Sequence, residues 1–582
     1  MAQVKPLSAC ISLDIGRINS RAAYFGIEDG KYHLRGSAKE STDLNRGLHL
    51  GIGQAFLALQ STTDQVIQND VGGLIMPVNP HGEGVDCVAL AVSAGPEIKT
   101  GLLGLAESGS IFVGRALIDS LPLKSIIELD LSSLIDDAGA INALMDARPE
   151  LLLITGGEDF GTGERVQQWI DIVRLVCKHR LDALKPTVIY AGSLADQAYA
   201  QRRLEPVTNL LMTSNLMPET GTIELQAAQN LLESVILNKW KSKLPGYTEF
   251  SKLTRGLEKL SCQAHGRMVR YLGRQGASQT QISHDKGVLA IDLGGGSTVL
   301  SAAQGFKSAT VALPTCANQT DIITDDLVTD VHRWTPSPVS KQVVHQFLAH
   351  LAVHPFLIPE NLTELAISQA FAHRRIVEAC SKLSEYHQWF NFNQTGLNTP
   401  FEPVILSGSV FTNSPAIGET VLMLLNAMQP HGITTLVLDR HHLLPQLGTI
   451  AAVEPVLPIH VMASSVFDNL GTVIVPVSRA AEGKTLMKIR VSVDSGKQYE
   501  VDIIQGTLRR IVIPPGVSAV LKILPERHTD IGFGGEGIGG QIKVKGGALG
   551  VVVDARGRPI NLPEDDDSRV EILRKWLWSL GG

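Results

Sequence analysis

Residues Gly287 to Leu300 read GVLAIDLGGGSTVL, and the interpretation of this stretch decides the fold. Val288 to Ile291 is an apolar run of the length expected for a buried strand. It delivers Asp292, then Gly294, Gly295 and Gly296, then Ser297 and Thr298, before apolar residues resume. Glycine lacks a Cβ and reaches φ > 0, so such a turn can bring several backbone N–H groups close to an anion. The Ser297 and Thr298 hydroxyls can donate to phosphate oxygens. Asp292 stands where a carboxylate could hold the water shell of Mg²⁺, which binds through one or two carboxylates plus phosphates. The competing interpretation is a glycine-rich hairpin with an incidental aspartate.

An earlier stretch repeats the design. Cys10 to Phe25, CISLDIGRINSRAAYF, gives an apolar strand, Asp14, Gly16, then Asn19 and Ser20, and apolar residues again. Two such hairpins imply duplicated halves that could grip a nucleotide's phosphates from opposite sides. The pair resembles the two phosphate loops of the actin, sugar kinase and DnaK-type chaperone superfamily. That resemblance implies ATP and Mg²⁺ as ligands, the ion held through water by Asp14 and Asp292. The phosphates would then meet Gly16, Asn19, Ser20, Gly294, Gly295, Gly296, Ser297 and Thr298.

Composition narrows the classes. A chain of 582 residues exceeds one ordinary core. With 44% hydrophobic and 19% charged residues it is globular, not disordered. A formal net charge of −7 gives no global attraction to nucleic acid or anionic lipid. No apolar run reaches the ~18 residues of a membrane span. Six cysteines are dispersed without zinc spacing, which predicts reduced thiols and a cytoplasmic protein. Leu7-Ser8-Ala9-Cys10 mimics a lipoprotein cleavage box, but no apolar segment fits before it.

Along the chain the pattern predicts a three-strand meander to about Lys39, a helix over Leu48–Leu59 and a strand over Val85–Val92. Ser93 to Gly104 reads as a turn region. Leu151 to Gly163, LLLITGGEDFGTG, is a strand ending in small residues, with Glu158 and Asp159 before a helix from Glu164. A further strand, Thr187–Tyr190, opens into a helix at Ala195, and successive strand–turn–helix units predict parallel strands. Thr222 to about Gln275 is largely helical by spacing. After the second hairpin another meander runs to Leu313. Four aspartates between Thr320 and Thr335 lack the spacing of a calcium loop and suit a solvated helix start. Pro403 to Phe411, PVILSGSVF, delivers Ser407, Gly408 and Ser409, and reads as the counterpart of LLLITGG. Leu443 to Val453 is a closing helix, and His441 and His442 just before it are predicted to be surface residues.

From about Glu454 the composition turns to short strands. Gly535, Gly537 and Gly540 match G-x-G-x-x-G, but a strand follows where a dinucleotide site needs a helix. A last helix spans Asp566–Leu580, its acids at the N-terminus where the macrodipole favours them. The predicted fold is α/β: a duplicated actin-like ATPase (ribonuclease H-like) core of two lobes with a C-terminal β-rich domain. The boundaries fall at 1–260, 261–455 and 456–582, the β-rich part being expected to face a client or an oligomer partner. In this frame Ser407, Gly408 and Ser409 form the adenosine-contacting turn, while Glu158 or Asp159 could position an attacking water.

Three segments resemble the glutamate mutase L family: Ser93-Ala94-Gly95, Thr155-Gly156-Gly157-Glu158-Asp159 and Tyr190-Ala191-Gly192. The ending VVVDARGRPINLPEDDDSR, Val551 to Arg569, is similar to the tail of its long bacterial members. The resemblance implies an ATPase acting as a chaperone or reactivating factor for an adenosylcobalamin-dependent mutase, with homo-oligomers left open. Arg17 departs from the small residues usual after the first glycine; it could add a charge on phosphate or block the site. A small-molecule kinase and a nucleotide-binding scaffold without turnover are the alternatives.

Overall fold

The computed structural model describes residues 7–131, 136–159, 164–279, 286–315 and 323–581. Asp321 and Cys316 lie outside them. The chain divides into two compact units, Met1–Ala94 with Phe250–Thr310 and Pro314–Gly582, and Gly95–Glu249 with Val311–Leu313.

The larger unit is built on two sheets of one design. In the first, β1 (Ala9–Ile15), β2 (Asn19–Glu28) and β3 (Lys31–Ser41) form an antiparallel meander. Beside β1 run β4 (Cys87–Val92) and then β5 (Glu258–Leu260), both parallel to it. The spatial order is β3-β2-β1-β4-β5. The second sheet repeats it with β6 (Gly287–Leu293), β7 (Ser297–Gln304), β8 (Lys307–Pro314), β9 (Phe401–Ser407) and β10 (Gly432–Leu438), in the order β8-β7-β6-β9-β10. β1 and β6 are fully buried along their length, as their unbroken apolar runs dictate for strands covered on both faces.

This repeat corrects one pairing. The counterpart of β9, the parallel neighbour of β6, is β4 and not LLLITGG: Leu151–Gly156 lies in the other unit. Both strands carry a small-residue turn, so the motif alone did not separate them. Among helices, α1 (Ser261–Gln279) and α4 (Leu443–Ile450) fill the space between the two sheets. The core there combines Cys10, Ala89, Met268, Ala290, Ile405 and Leu447. The helices α2 (Leu362–Tyr386), which contacts β7, and α3 (Ile417–Met428) pack on one another.

The C-terminal β-rich region continues the second sheet. β11 (Asp468–Val475) pairs antiparallel with β10, and β13 (Val551–Ala555) and β12 (Thr507–Ile511) follow, giving eight strands. A four-stranded antiparallel sheet, Gln498–Ile504, Thr485–Val493, Ser518–Pro525 and Gly540–Lys545, closes over its end through Ile474, Ile489, Leu521 and Val553. Alternation of buried and exposed residues in Thr485–Val493 is what a one-sided sheet requires. The final helix α5 (Asp566–Ser579) is capped by Asp565, which accepts from Ser568 N. Trp576 is buried on it and Trp578 is exposed.

The second unit is a five-stranded, all-parallel sheet ordered Leu123–Asp130, Ile98–Gly104, Leu151–Gly156, Thr187–Gly192, Leu210–Met212. The strand–turn–helix units at Leu151 and Thr187 form as expected. Ile98–Gly104, predicted as a turn region, is a central strand. Pro96 precedes it and ends the turn.

Candidate functional site

The two hairpins converge within the larger unit. Each closes identically: Gly16 N–H donates to Asn19 O at 3.0 Å, and Gly294 N–H donates to Ser297 O at 3.0 Å. A Cβ on Gly16 would stand 2.8 Å from Asn19 O, so the turn is too tight for a side chain. Because Gly16 and Gly294 close their own turns, their N–H groups are not available to an anion. The tips meet: a Cβ on Gly295 would fall 2.0 Å from Ile18 Cδ1, and one on Gly296 would fall 3.3 Å from Arg17 Cβ.

This contact separates two spaces. Outside it lies a cavity of about 900 Å³, bordered by Asn19, Gly295, Thr298, Ser409, Arg375 and Phe356. Inside lies a chamber of about 40 Å³ lined by Asp14, Arg17, Arg21, Asp292, Gly408 and His442. Asp14 and Asp292, both buried, share the chamber as the duplicated design implied. Between them sits His442. Its Nδ1 is 2.9 Å from Asp14 Oδ2 and its Nε2 donates to Asp292 Oδ2 at 2.9 Å. Arg21 Nη1 approaches Asp14 Oδ2 at 3.5 Å, and Ser261 Oγ donates to Asp14 Oδ1 at 3.0 Å. Asp292 Oδ1 is buried and has no hydrogen-bond partner.

His442 and His441 are thus not surface residues. His442 is 6% exposed, and His441 Nδ1 lies 2.6 Å from Ser37 Oγ. The backbone of His442 is left-handed, φ 57 and ψ 48, uncommon for a residue with a side chain. Its position is fixed by Asp439, whose carboxylate accepts from Leu443 N at 2.8 Å and Leu444 N at 3.0 Å at the start of α4. Burial alone would lower the His442 pKa, but the Asp292 and Asp14 carboxylates outweigh it and hold it at about 10. Burial likewise favours a neutral Asp292, and the His442 charge overrides it, keeping that carboxyl below its ordinary range.

Gly408 has φ 95, and a Cβ there would lie 2.3 Å from Leu293 O and 2.6 Å from Asp292 Oδ1. Only glycine lets β9 end this close to the carboxylate. Ser409 borders both spaces. Ser297 lines the chamber. Ser407 is buried and donates to Asp439 O, away from both. The Ser20 hydroxyl pairs with Thr42 Oγ1 at 2.8 Å and borders neither. Glu158 and Asp159 belong to the other unit. There Asp159 Oδ1 accepts from Asn215 Nδ2 and Leu194 N, and Glu158 accepts from the Thr220 hydroxyl. Sequence reasoning missed Arg21, Ser261 and His442. For His442 a signal existed: it follows the fifth strand of the second repeat, which runs beside β9, itself the neighbour of β6.

Two sheets of order 3-2-1-4-5, each with an aspartate-tipped first hairpin, define a duplicated α/β fold of the actin-like ATPase and sugar kinase class, extended by a β-rich C-terminal region. Within that class the chain belongs to the family described as MutL protein, whose model matches residues 10–466. A search of curated proteins found no match. Among solved structures, a gluconate kinase from Lactobacillus acidophilus is 11% identical, covering 80% of this chain and 93% of that one, with a TM-score of 0.30. A diol dehydratase-reactivating factor in nucleotide-free form is 10% identical over 77% of this chain and 100% of that one, TM-score 0.29. A glycerol dehydratase reactivase is 11% identical with the same coverage, TM-score 0.28. Similarities this remote carry no argument about the site. Among the described residues no helix is long and apolar enough to cross a membrane.

Asp14 Oδ2 and Asp292 Oδ1 are buried without a hydrogen-bond partner, as oxygens that would face the water shell of Mg²⁺ are, and the His442 ring stands 2.9 Å from each carboxylate. No group of three or more His, Cys, Asp or Glu among the described residues is arranged to hold a metal ion. The outer cavity, by contrast, falls within the ~300–1,000 Å³ range of small-molecule sites and presents both apolar walls and hairpin polar groups.

Proposed function

We propose that the chain is an ATP-binding, chaperone-like accessory protein that serves an adenosylcobalamin-dependent mutase in the cytoplasm. The observation that carries the nucleotide part is the meeting of both aspartate-tipped hairpins beside a cavity of about 900 Å³. In this reading the base and ribose lie against Phe356, Ser409 and α2, and the phosphates reach Asn19, Gly295 and Thr298 at the hairpin tips. The client follows from membership of the MutL family, taken as glutamate mutase L in view of the three segments named above. Nucleotide occupancy would hold the hairpin tips together or apart, and so change the surface offered to the mutase.

Isothermal titration of the full chain with ATP tests the first part. The second is tested by restoring turnover to a cobalamin-inactivated mutase with the chain plus ATP and fresh adenosylcobalamin. Restoration independent of ATP, or none, defeats the chaperone reading. One observation favours a second reading, a nucleotide-binding scaffold without turnover: His442 occupies the space between the two carboxylates. An ADP-release assay separates the two, since the scaffold releases none even with a mutase present.

A further inference from the structure

The outer cavity is bordered by a cation whose hydrogen bonds are incomplete. Of the residues around it, Lys39 and Arg375 are the basic ones and Glu360 the acidic one. Lys39 lies exposed on β3. Arg375, on α2, keeps its side chain only 12% exposed. Its Nη1 donates to Glu378 Oε2 at 2.7 Å, and its Nη2 donates to Pro314 O. A planar guanidinium carries more N–H donors than these contacts use. Its Nε is buried and has no partner among the described residues. Unmet buried donors are costly, and here they belong to a charged group at the wall of a cavity.

The anchor fixes where along the cavity this charge sits. Pro314 ends β8, and the next residue, Thr315, holds the second hairpin. Thr315 N–H donates to Gly296 O at 3.1 Å, and its Oγ1 donates to Gly294 O at 3.2 Å. The guanidinium is therefore tied one residue away from the contacts that hold the hairpin glycines. Gly294, Gly295, Thr298 and Thr315 border the same cavity, whereas Glu378, which orients the guanidinium, does not. Resting on the nucleotide reading above, we propose that Arg375 is the anion-holding residue of the cavity, so that the site grades its ligands by their phosphates. Triphosphate binds above diphosphate, and diphosphate above the bare nucleoside. A guanidinium fork matches two oxygens of one phosphate, and with Nη1 and Nη2 already fixed, little freedom is lost when the anion arrives.

The test titrates the full chain by calorimetry with ATP, ADP, adenosine and inorganic tripolyphosphate, in the wild type, Arg375→Met and Arg375→Lys. Arg374→Met is the control: Arg374 Nη1 lies 3.4 Å from Asp330 Oδ2, and the residue does not border the cavity. In Arg375→Met, ATP and tripolyphosphate are expected to bind about ten- to a hundredfold more weakly, the worth of a charged hydrogen bond. Adenosine is expected to change by less than about twofold. Arg375→Lys keeps the charge but cannot hold Pro314 O, Glu378 and a phosphate in one plane, and is expected to fall between. Equal weakening of ATP and adenosine overturns the proposal, because it marks Arg375 as a strut between α2 and β8. Unchanged ATP affinity in Arg375→Met, or a wild type that binds adenosine as tightly as ATP, overturns it too. If Arg375→Met does not fold, the order of ligands in the wild type and the lysine variant decide. Should ATP bind no tighter than tripolyphosphate, both through Arg375, the nucleotide reading fails and the anion site stands. If the wild type binds none of the four, both fail.

Discussion

Replacing Asp554 by Ala should destabilise the larger unit far more than an ordinary surface change. Asp554 lies on β13 and is fully buried. Its Oδ1 accepts from Arg556 Nε at 2.8 Å, and its Oδ2 accepts from Arg556 Nη2 and Arg558 Nη2, both at 2.8 Å. Arg556 reaches onward to Asn426 Oδ1 on α3 at 2.7 Å and stacks over the Trp576 ring on α5 at 4.4 Å. Burial would raise the Asp554 pKa, but the two guanidinium groups outweigh it and hold the carboxyl well below its usual range. Removing the carboxylate leaves two guanidinium groups unpaired, their side chains only 1% and 2% exposed. Breaking one buried pair costs ~3–5 kcal/mol, and the second arginine places this variant at the upper end, about 5 kcal/mol. Asp554→Asn, which retains one acceptor oxygen, should lose less, about 3 kcal/mol. The assay is urea unfolding with hydrogen exchange read at Val551–Ala555 and Thr507–Ile511, which follows this unit whatever the other one does. A loss below about 1 kcal/mol in the alanine variant would show the pair to be solvated, and would remove the tie between the C-terminal strands and α3.

The Asp14–His442–Asp292 bridge makes a pH prediction. A histidine raised from 6.5 to about 10 contributes stability that is fully present below pH 6.5 and lost as pH rises through about 10. The contribution is at most about 5 kcal/mol at one 1.36 kcal/mol per unit, so wild-type denaturation midpoints should fall steeply between those values while His442→Gln falls less. Gly408→Ala should cost about 1–3 kcal/mol for its positive φ alone, and should also displace Asp292 and abolish ATP binding by calorimetry. Ile18→Ala should loosen the contact between hairpin tips and weaken ATP binding in the outer cavity that Ile18 borders; an unchanged affinity by calorimetry would mean the tips do not position the phosphates. Ending the chain after residue 466, where the family match stops, should yield aggregated protein by light scattering, because it bares the edge of β10.

The sequence carried the hairpins because their signal is local. An aspartate at a strand end, a glycine too crowded for a Cβ and a hydroxyl on the return strand all sit within one turn of chain. Duplication was legible for the same reason. What the local signal did not give was which distant strand pairs with which, or which distant side chain joins the hairpins. Leu151–Gly156 and β4 both end in small residues, and only strand pairing shows which is the neighbour of the first hairpin. The strands after Glu454 read correctly as a β-rich C-terminal region, but nothing in an apolar alternation says which sheet a strand joins. The pairing of β11 with β10 is a fact of register, from Gly432 opposite Val475 to Leu438 opposite Asp468.

His442 shows the limit most clearly. In the sequence it is one of two histidines in a polar loop, with no carboxylate nearby except Asp439, and that group caps α4. Its partners lie more than a hundred residues away on β1 and β6, and they were themselves predicted to face a metal. The same two carboxylates suit a divalent ion between them or an imidazole ring set against both. The choice depends on whether a cationic side chain can be delivered between them, and that is decided by the length of the β10–α4 turn and by one residue in a left-handed conformation. Two aspartates on facing hairpins concentrate negative charge in one place; which side chain reaches them depends on the loop that follows the fifth strand.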